Sequence, residues 1–223
     1  MLSDIALVAR KDLRVEWRSR VALNQVVPFA LLVLVLFGFA LDADTATLTT
    51  FTPGLYWVAV LLAAILAIHR SVAIEAGDAA DQGLLMTGLD PAAIFLGKAI
   101  ALIVELLVLS AVLVGGVVVL YEAPIHDAPL LVATVIAAVI GVGAAGTLYG
   151  SLISGQRARE TVLPILLLPV LAPVLIGASR AFGDAMGSVA TDGWAWLSLL
   201  FAFAIAYLVI GALSHGLLLE ERS

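Results

Sequence analysis

Three histidines, His69, His126 and His215, are the residues of this chain best suited to acid–base or metal chemistry. None has a second His or a Glu at the spacing that puts two ligands on one helix face, and the chain has no Cys. The stretch "FLGK", residues 95–98, ends like a phosphate-binding loop, but positions 92 and 93 are both Ala and Ala99 follows the lysine. The sequence therefore predicts no catalytic residue, no metal site and no nucleotide site on this chain.

One acidic residue, Glu105, stands inside an otherwise apolar stretch, between "IALIV" and "LLVLS". A charge in the middle of a membrane span is costly, so such a residue is a candidate for a functional site. The alternative is a protonated or hydrogen-bonded Glu that fixes helix packing, and the sequence leaves these two interpretations open. A single Glu does not by itself predict proton coupling.

The composition is that of an all-α integral membrane protein. Of the 223 residues, 63% are hydrophobic and only 13% are charged, about half the charged share of a soluble domain. A bilayer core needs roughly 20 apolar residues of helix, and six stretches meet this need. The second and fifth are short or broken, the fifth because it contains three prolines. We expect one transmembrane domain, 1–223, with spans at residues 21–41, 52–68, 94–120, 130–153, 162–179 and 194–218.

Basic residues predict the orientation of these spans. If there are six spans, ten of the eleven Lys and Arg residues fall on the side that carries both termini, and only Arg180 falls on the other. Because Lys and Arg accumulate in cytoplasmic loops, both termini are expected in the cytoplasm.

The first twenty residues are expected to form an amphipathic helix at the cytoplasmic membrane surface. Ile5, Ala9, Leu13 and Trp17 recur every four residues, which places Trp17 at the headgroup level. A second row follows another face of the same helix, and it can meet lipid phosphates or a protein partner. Acidic residues interrupt this charge, so a nucleic-acid partner is excluded. The second row consists of Arg10, Arg14 and Arg18, and the interrupting acids are Asp12 and Glu16.

The connection between the second and third spans combines acidic residues with a short apolar cluster. Its sequence indicates a short cytoplasmic helix that is offered to a partner, while a solvated connector is the alternative interpretation. Asp90 followed by Pro91 is a helix-start signal for the third span. The acids before it are Glu75, Asp78 and Asp81, and the apolar cluster contains Leu84, Leu85 and Met86.

A pair of glycines in the fourth span predicts close helix packing. Gly146 and Gly150 are spaced as a small-xxx-small pair, which lets another helix backbone approach. The contact can lie within one subunit or between two copies.

Several segments occur in the order found in a known family. They are "ARKDLRVEWRSR", "TPGLYWVAVLLAAILAIHRSVAIE", "GLLMTGLDPAAIFLGKAIA" and "LPILLLPVLAPVLIGA". Together they resemble the haem exporter protein B family (CcmB), the membrane subunits of the cytochrome c maturation ABC transporter, over essentially the whole chain. The anchors of the resemblance are Arg14, Glu16, Arg18, Trp57, Arg70, Glu75, Pro91, Gly97, Lys98 and Pro173.

The resemblance implies a non-catalytic subunit of the inner membrane, similar to type-2 ABC permeases, that pairs with a second copy and sits on a separate ABC ATPase. It also implies three further partners: a membrane protein that handles haem, a small accessory protein and a haem chaperone. Haem would be handled or transported rather than held as a cofactor. A type-2 permease for a drug, lipid or polysaccharide is the alternative, and a scaffold or a proton-coupled carrier that uses Glu105 is a third.

The resemblance further implies which residues meet the ATPase. Residues 2–20 would be the interface helix, and residues 75–85 would include the coupling element. The stretch "EAGDAADQG" departs from the more compact turn of the family, which shifts the expected coupling helix by a few residues. The residues assigned to this interface are Arg10, Arg14, Glu16, Arg18, Arg70, Glu75, Asp78, Asp81, Leu84 and Leu85.

Overall fold

The computed structural model describes residues 1–19, 22–41, 45–78, 89–153 and 159–220. The described part of the chain contains seven α-helices and one π-helical segment, Ala22–Val26. Six of the seven α-helices are long and apolar enough to cross a membrane, which confirms the predicted all-α membrane fold. The helices are α1 Leu2–Ser19, α2 Val27–Leu41, α3 Thr45–Asp78, α4 Pro91–Leu120, α5 Ala128–Ile153, α6 Arg159–Ala185 and α7 Gly193–Glu220.

The prediction that the second and fifth spans are short or broken is wrong. Helix α3 runs for 34 residues, which is roughly 50 Å of helix, and α6 runs for 27 residues through Pro164, Pro169 and Pro173. An apolar stretch in the sequence shows only the part of a helix that matches the hydrocarbon core of a membrane. The helix can continue beyond that stretch through polar residues at its ends. Prolines are tolerated in membrane helices because neighbouring groups satisfy the backbone that they free.

Helix α4 begins where the sequence predicts. Asp90 has extended backbone angles, its carboxylate accepts a hydrogen bond from the backbone N–H of Ala92 at 2.9 Å, and Pro91 occupies the first turn. Asp90 therefore caps the helix, and Pro91 needs no hydrogen bond at that position. The predicted helix-start signal is confirmed.

Helix α5 lies at the centre of the bundle, in contact with α3, α4, α6 and α7. It is rich in Gly and Ala, so its neighbours approach closely. A Cβ atom on Gly143 would lie 2.5 Å from Cγ1 of Ile103 on α4, and one on Gly146 would overlap the side chain of Ile68 on α3. Only a residue without a side chain fits at these two contacts.

Helix α1 lies alongside the N-terminal half of α4. A Cβ atom on Gly97 would lie 2.6 Å from Cβ of Val8 and 3.0 Å from the carbonyl oxygen of Ile5. Further along both helices, Leu13 of α1 and Val108 of α4 line a common cavity. We call this end of the bundle, with α1, the C-terminal part of α3 and the start of α4, the basic end. The opposite end, with the connections 121–127 and 186–192, is the acidic end.

Candidate functional site

An ion pair joins α1 to α3 at the basic end. The Arg70 guanidinium donates to Oε1 of Glu16 at 2.6 Å and to the Ser19 hydroxyl at 2.7 Å. Ser19 in turn donates to the backbone carbonyl of Glu16 at 2.8 Å. The side chains of Arg70 and Glu16 are only 18% and 21% exposed, so water screens this pair less than a surface pair.

A cavity of about 110 Å³ lies beside this ion pair, between α1, the π-helical segment, α2, α3 and α4. Its walls are almost entirely apolar, and two carboxylates, Glu16 and Glu105, reach it. Oε1 of Glu105 is buried and has no hydrogen-bond partner in the described part of the chain. We call this space the Glu105 cavity, and its lining residues are Leu13, Glu16, Trp17, Val26, Val27, Ala67, Val104, Glu105, Leu106, Val108 and Leu109.

Glu16, Arg70 and Glu105 thus lie close together, although the sequence predicts Glu16 and Arg70 at a partner interface and Glu105 as a separate feature. The carboxylate of Glu105 lies within electrostatic range of both Glu16 and Arg70. One guanidinium therefore faces two carboxylates, and it bonds to only one of them among the contacts of the described residues. An acidic oxygen without a donor in an apolar cavity is costly, which marks Glu105 as the unusual member of the group.

The outer face of α1 carries an exposed row of basic side chains. Arg10, Arg14 and Arg18 are exposed on this face and form no ion pair with any described residue, whereas Lys11 pairs with Asp12 at 2.7 Å. We call Arg10, Arg14 and Arg18 the basic face. It points away from α4, because the buried residues of α1 are Val8 and Ala9.

Only part of the apolar row predicted on α1 is buried against the rest of the protein. Ala9 is buried and Ile5 and Leu13 are partly buried, but Trp17 is 78% exposed. The sequence missed Val8, which is fully buried against Gly97. Helix α1 makes its principal contact with α4, so that helix determines which residues of α1 are buried. The membrane position of Trp17 stays a prediction.

The predicted coupling residues lie mostly outside the described residues. Glu75 and Asp78 belong to the last turn and a half of α3, but their side chains are not among those described. Asp81, Leu84 and Leu85 fall outside the described ranges. The first part of the expected coupling element therefore continues α3, and the rest of the expected short helix stays a prediction.

The two packing glycines lie against α3 of the same chain. A Cβ atom on Gly150 would lie 3.0 Å from the Val72 side chain, while Gly146 faces Ile68. Lys98, which lies inside the predicted third span, is 8% exposed and lines a small cavity with Gly146 and Gly150. No pattern in the sequence predicts this burial, because a Lys near the start of a helix is ordinarily exposed.

The three histidines lie in different places, and the described residues contain no group of three potential metal ligands. His126, at the acidic end, donates from Nδ1 to the carbonyl of Met186 at 3.0 Å. His215 is buried with its ring centroid 5.9 Å from that of Phe95, and His69 is partly buried on α3. The rings of His126 and His215 thus take part in separate contacts between loops or helices.

Comparison with known proteins points to one family. Heme exporter protein B of Pseudomonas aeruginosa is 25% identical over 213 residues, 92% of each chain. The protein of the same name from Paracoccus denitrificans is 28% identical and covers 90% of this chain and 91% of its own. That from Haemophilus influenzae is 27% identical over 77% of this chain and 78% of its own. A family model described as CcmB protein matches residues 4–220, and the chain, with its six membrane-length helices, belongs to the CcmB family.

Proposed function

We propose that this chain is a non-catalytic membrane subunit of a haem exporter complex and that a separate partner chain hydrolyses ATP. The observation that carries the proposal is the family match over residues 4–220. Relatives named Heme exporter protein B align with 90% or more of the chain. A chain with six membrane-length helices fits the membrane component of such a complex.

The basic face of α1 is the surface that we assign to the ATPase. Its three arginines are exposed and unpaired with described residues, and Arg is well suited to pairing with carboxylates on a partner. Because α1 rests on α4 at Gly97 and is tied to α3 through Arg70, a force on α1 acts directly on two membrane helices. This arrangement would couple ATP hydrolysis to the spans.

The complete assembly that we propose contains two copies of this chain, the ATPase, the haem-handling membrane protein, the small accessory protein and the haem chaperone. It would sit in the cytoplasmic membrane with both termini of this chain inside the cell. The motion would either export haem or release the haem-loaded chaperone from the haem-handling protein. We favour release, because the acidic end carries one histidine, His126, whose Nδ1 is already bonded to Met186.

Co-purification tests the docking surface. An Arg14→Glu variant, expressed with its neighbouring genes, should recover at least about tenfold less ATPase than the parent chain. The matched control is Arg180→Glu, the same charge reversal on an exposed arginine of α6, and it should recover the ATPase normally. Equal recovery with both variants would rule out the basic face as the docking surface, and no ATPase with the parent chain would overturn the proposed function.

Deletion of the gene that encodes this chain distinguishes a role in haem delivery from the transport of another substrate. The proposal predicts loss of all c-type cytochromes while other haem proteins stay intact. A type-2 permease for a drug, lipid or polysaccharide would leave c-type cytochromes unchanged. In that case the family would supply the fold of this chain but not its cargo.

A further inference from the structure

The role of Glu105 is not explained by the proposed function. Its Oε1 is buried without a hydrogen-bond partner in the described part of the chain, in a cavity with apolar walls. A carboxylate in such a place is expected to have a donor in some state of the protein, because an unsatisfied acidic oxygen is costly to bury.

Arg70 is a cation within electrostatic range of Glu105, and its bonds to other residues explain why Glu105 has no partner among the described residues. Among the described residues, both side-chain partners of Arg70, Glu16 and Ser19, belong to α1. The guanidinium is carried by α3, while Glu105 is carried by α4. Arg70 therefore connects α3 to a helix outside the membrane bundle, although a carboxylate of the bundle lies within electrostatic range.

Helix α1 buries a smaller share of its residues than α4, the helix on which it rests. Of its 18 residues only Val8 and Ala9 are buried, and its side chains Leu7 and Trp17 are 63% and 78% exposed. A helix with so few buried contacts belongs to the part of a protein that opens most easily. If α1 moves away from α4, it takes Glu16 and Ser19 with it and leaves the partly buried guanidinium of Arg70 without an acceptor.

We propose that Glu105 is the second acceptor for Arg70, and that the guanidinium exchanges Glu16 for Glu105 when α1 separates from α4. One ion pair is then present in each state, so separation does not leave a buried unpaired charge, which is the most costly outcome for such a pair. Glu105 acts by stabilising the separated state. The proposal concerns this chain alone and does not depend on which partner moves α1.

The absence of cysteine allows a direct test on the full-length chain in detergent or nanodiscs. A Val8→Cys variant places a thiol at a side chain that is fully buried against Gly97. A maleimide can react with it only when α1 separates from α4, so the labelling rate reports the population of the separated state. The matched control is Leu7→Cys, one residue away and exposed, which should label at one rate in every background.

The proposal predicts opposite effects for the two carboxylates. Glu16→Gln should raise the labelling rate of Val8→Cys, and Glu105→Gln should lower it, each by roughly fivefold or more, the lower end of coupling between linked sites. Glu105→Gln should have no effect when Arg70→Gln is also present, because the guanidinium is then missing. Glu105→Asp, which keeps the charge, should restore much of the parent rate.

A packing role for Glu105 gives a different result. In that case Glu105→Gln would leave the labelling rate unchanged or raise it, with or without Arg70, and either outcome would overturn the proposal. Ala9→Cys, at the other buried position of α1, repeats the measurement if Val8→Cys does not fold. Loss of ATPase co-purification with unchanged labelling would count against the proposed function alone, so the two failures are distinguishable.

Discussion

Helix α1 and helix α5 are held in the molecule in opposite ways. Sixteen of the 26 residues of α5 are buried, whereas two of the 18 residues of α1 are. Helix α5 contacts four other membrane helices, while α1 makes its principal contact with α4 alone. The difference separates a fixed centre from a peripheral helix, and only the peripheral helix can move without disrupting the bundle.

Small residues are used differently in the two places. On α5 they allow close approach on several sides, as at Gly143 and Gly146. At α1 one glycine of α4, Gly97, accommodates one side chain, Val8. The remaining attachment of α1 is polar, through Glu16 and Ser19 to Arg70. Close packing therefore holds α5 at the centre of the bundle, whereas the ion pair that we propose to be exchangeable contributes to the attachment of α1 at its edge.

The largest effect is expected at the centre. Gly143→Val should lower the free energy of unfolding by about 3 kcal/mol or prevent folding, because its side chain would overlap Ile103 in a packed interior. Unfolding by SDS in mixed micelles measures the change. Gly115→Val is the control, since a Cβ atom at Gly115 would meet nothing within 4 Å. If Gly143→Val is as stable as Gly115→Val, α5 is not the fixed centre.

The ion pair of the edge should have the next largest effect. Arg70→Gln should lower the free energy of unfolding by about 1–2 kcal/mol, because two hydrogen bonds of a partly buried charge are lost. The exchanged pair Glu16→Arg with Arg70→Glu should recover part of this loss. No recovery in the double variant would mean that the two side chains act independently, and a double-mutant cycle in SDS unfolding gives the coupling.

A single buried hydrogen bond gives a smaller effect at the acidic end. The Tyr121 hydroxyl donates to the carbonyl of Leu34 at 2.6 Å and joins α2 to the end of α4. Tyr121→Phe should cost about 1 kcal/mol in the same unfolding measurement. The maleimide labelling of Val8→Cys should not change, because the bond lies far along α4 from Gly97. A change in labelling would show that the two ends of the bundle are coupled.

Gly97→Ala should have the smallest effect on the bundle and a selective effect on α1. A Cβ atom at position 97 would displace Val8 and the Ile5 carbonyl, so α1 should separate more often. The free energy of unfolding should change much less than in Gly143→Val, because α1 can separate and relieve the overlap while the membrane helices stay packed, and protease cleavage within α1 should increase. Gly115→Ala on the same helix is the control. Equal loss of global stability and of α1 protection would remove the distinction between edge and centre.

Much of the fold follows from the sequence, because local features determine it. Six apolar stretches give the six membrane helices, and Asp90 with Pro91 gives the start of α4. The lengths of α3 and α6 do not follow, because a helix can continue past its apolar part and through its prolines. The sequence identifies the residues of the candidate site but does not predict that they lie together. Glu16 and Arg70 are predicted to contact an outside partner, and Glu105 is predicted as a separate candidate.

The sequence by itself determined the membrane class, the number of spans and the amphipathic character of α1, since hydrophobicity and periodicity are properties of neighbouring residues. Only the tertiary structure decided that Arg70 bonds to Glu16 across 54 positions of sequence and that Glu105 lies beside them. It also decided that Gly146 and Gly150 face α3 of the same chain. Such contacts depend on how helices pack against each other, which short-range sequence patterns do not encode.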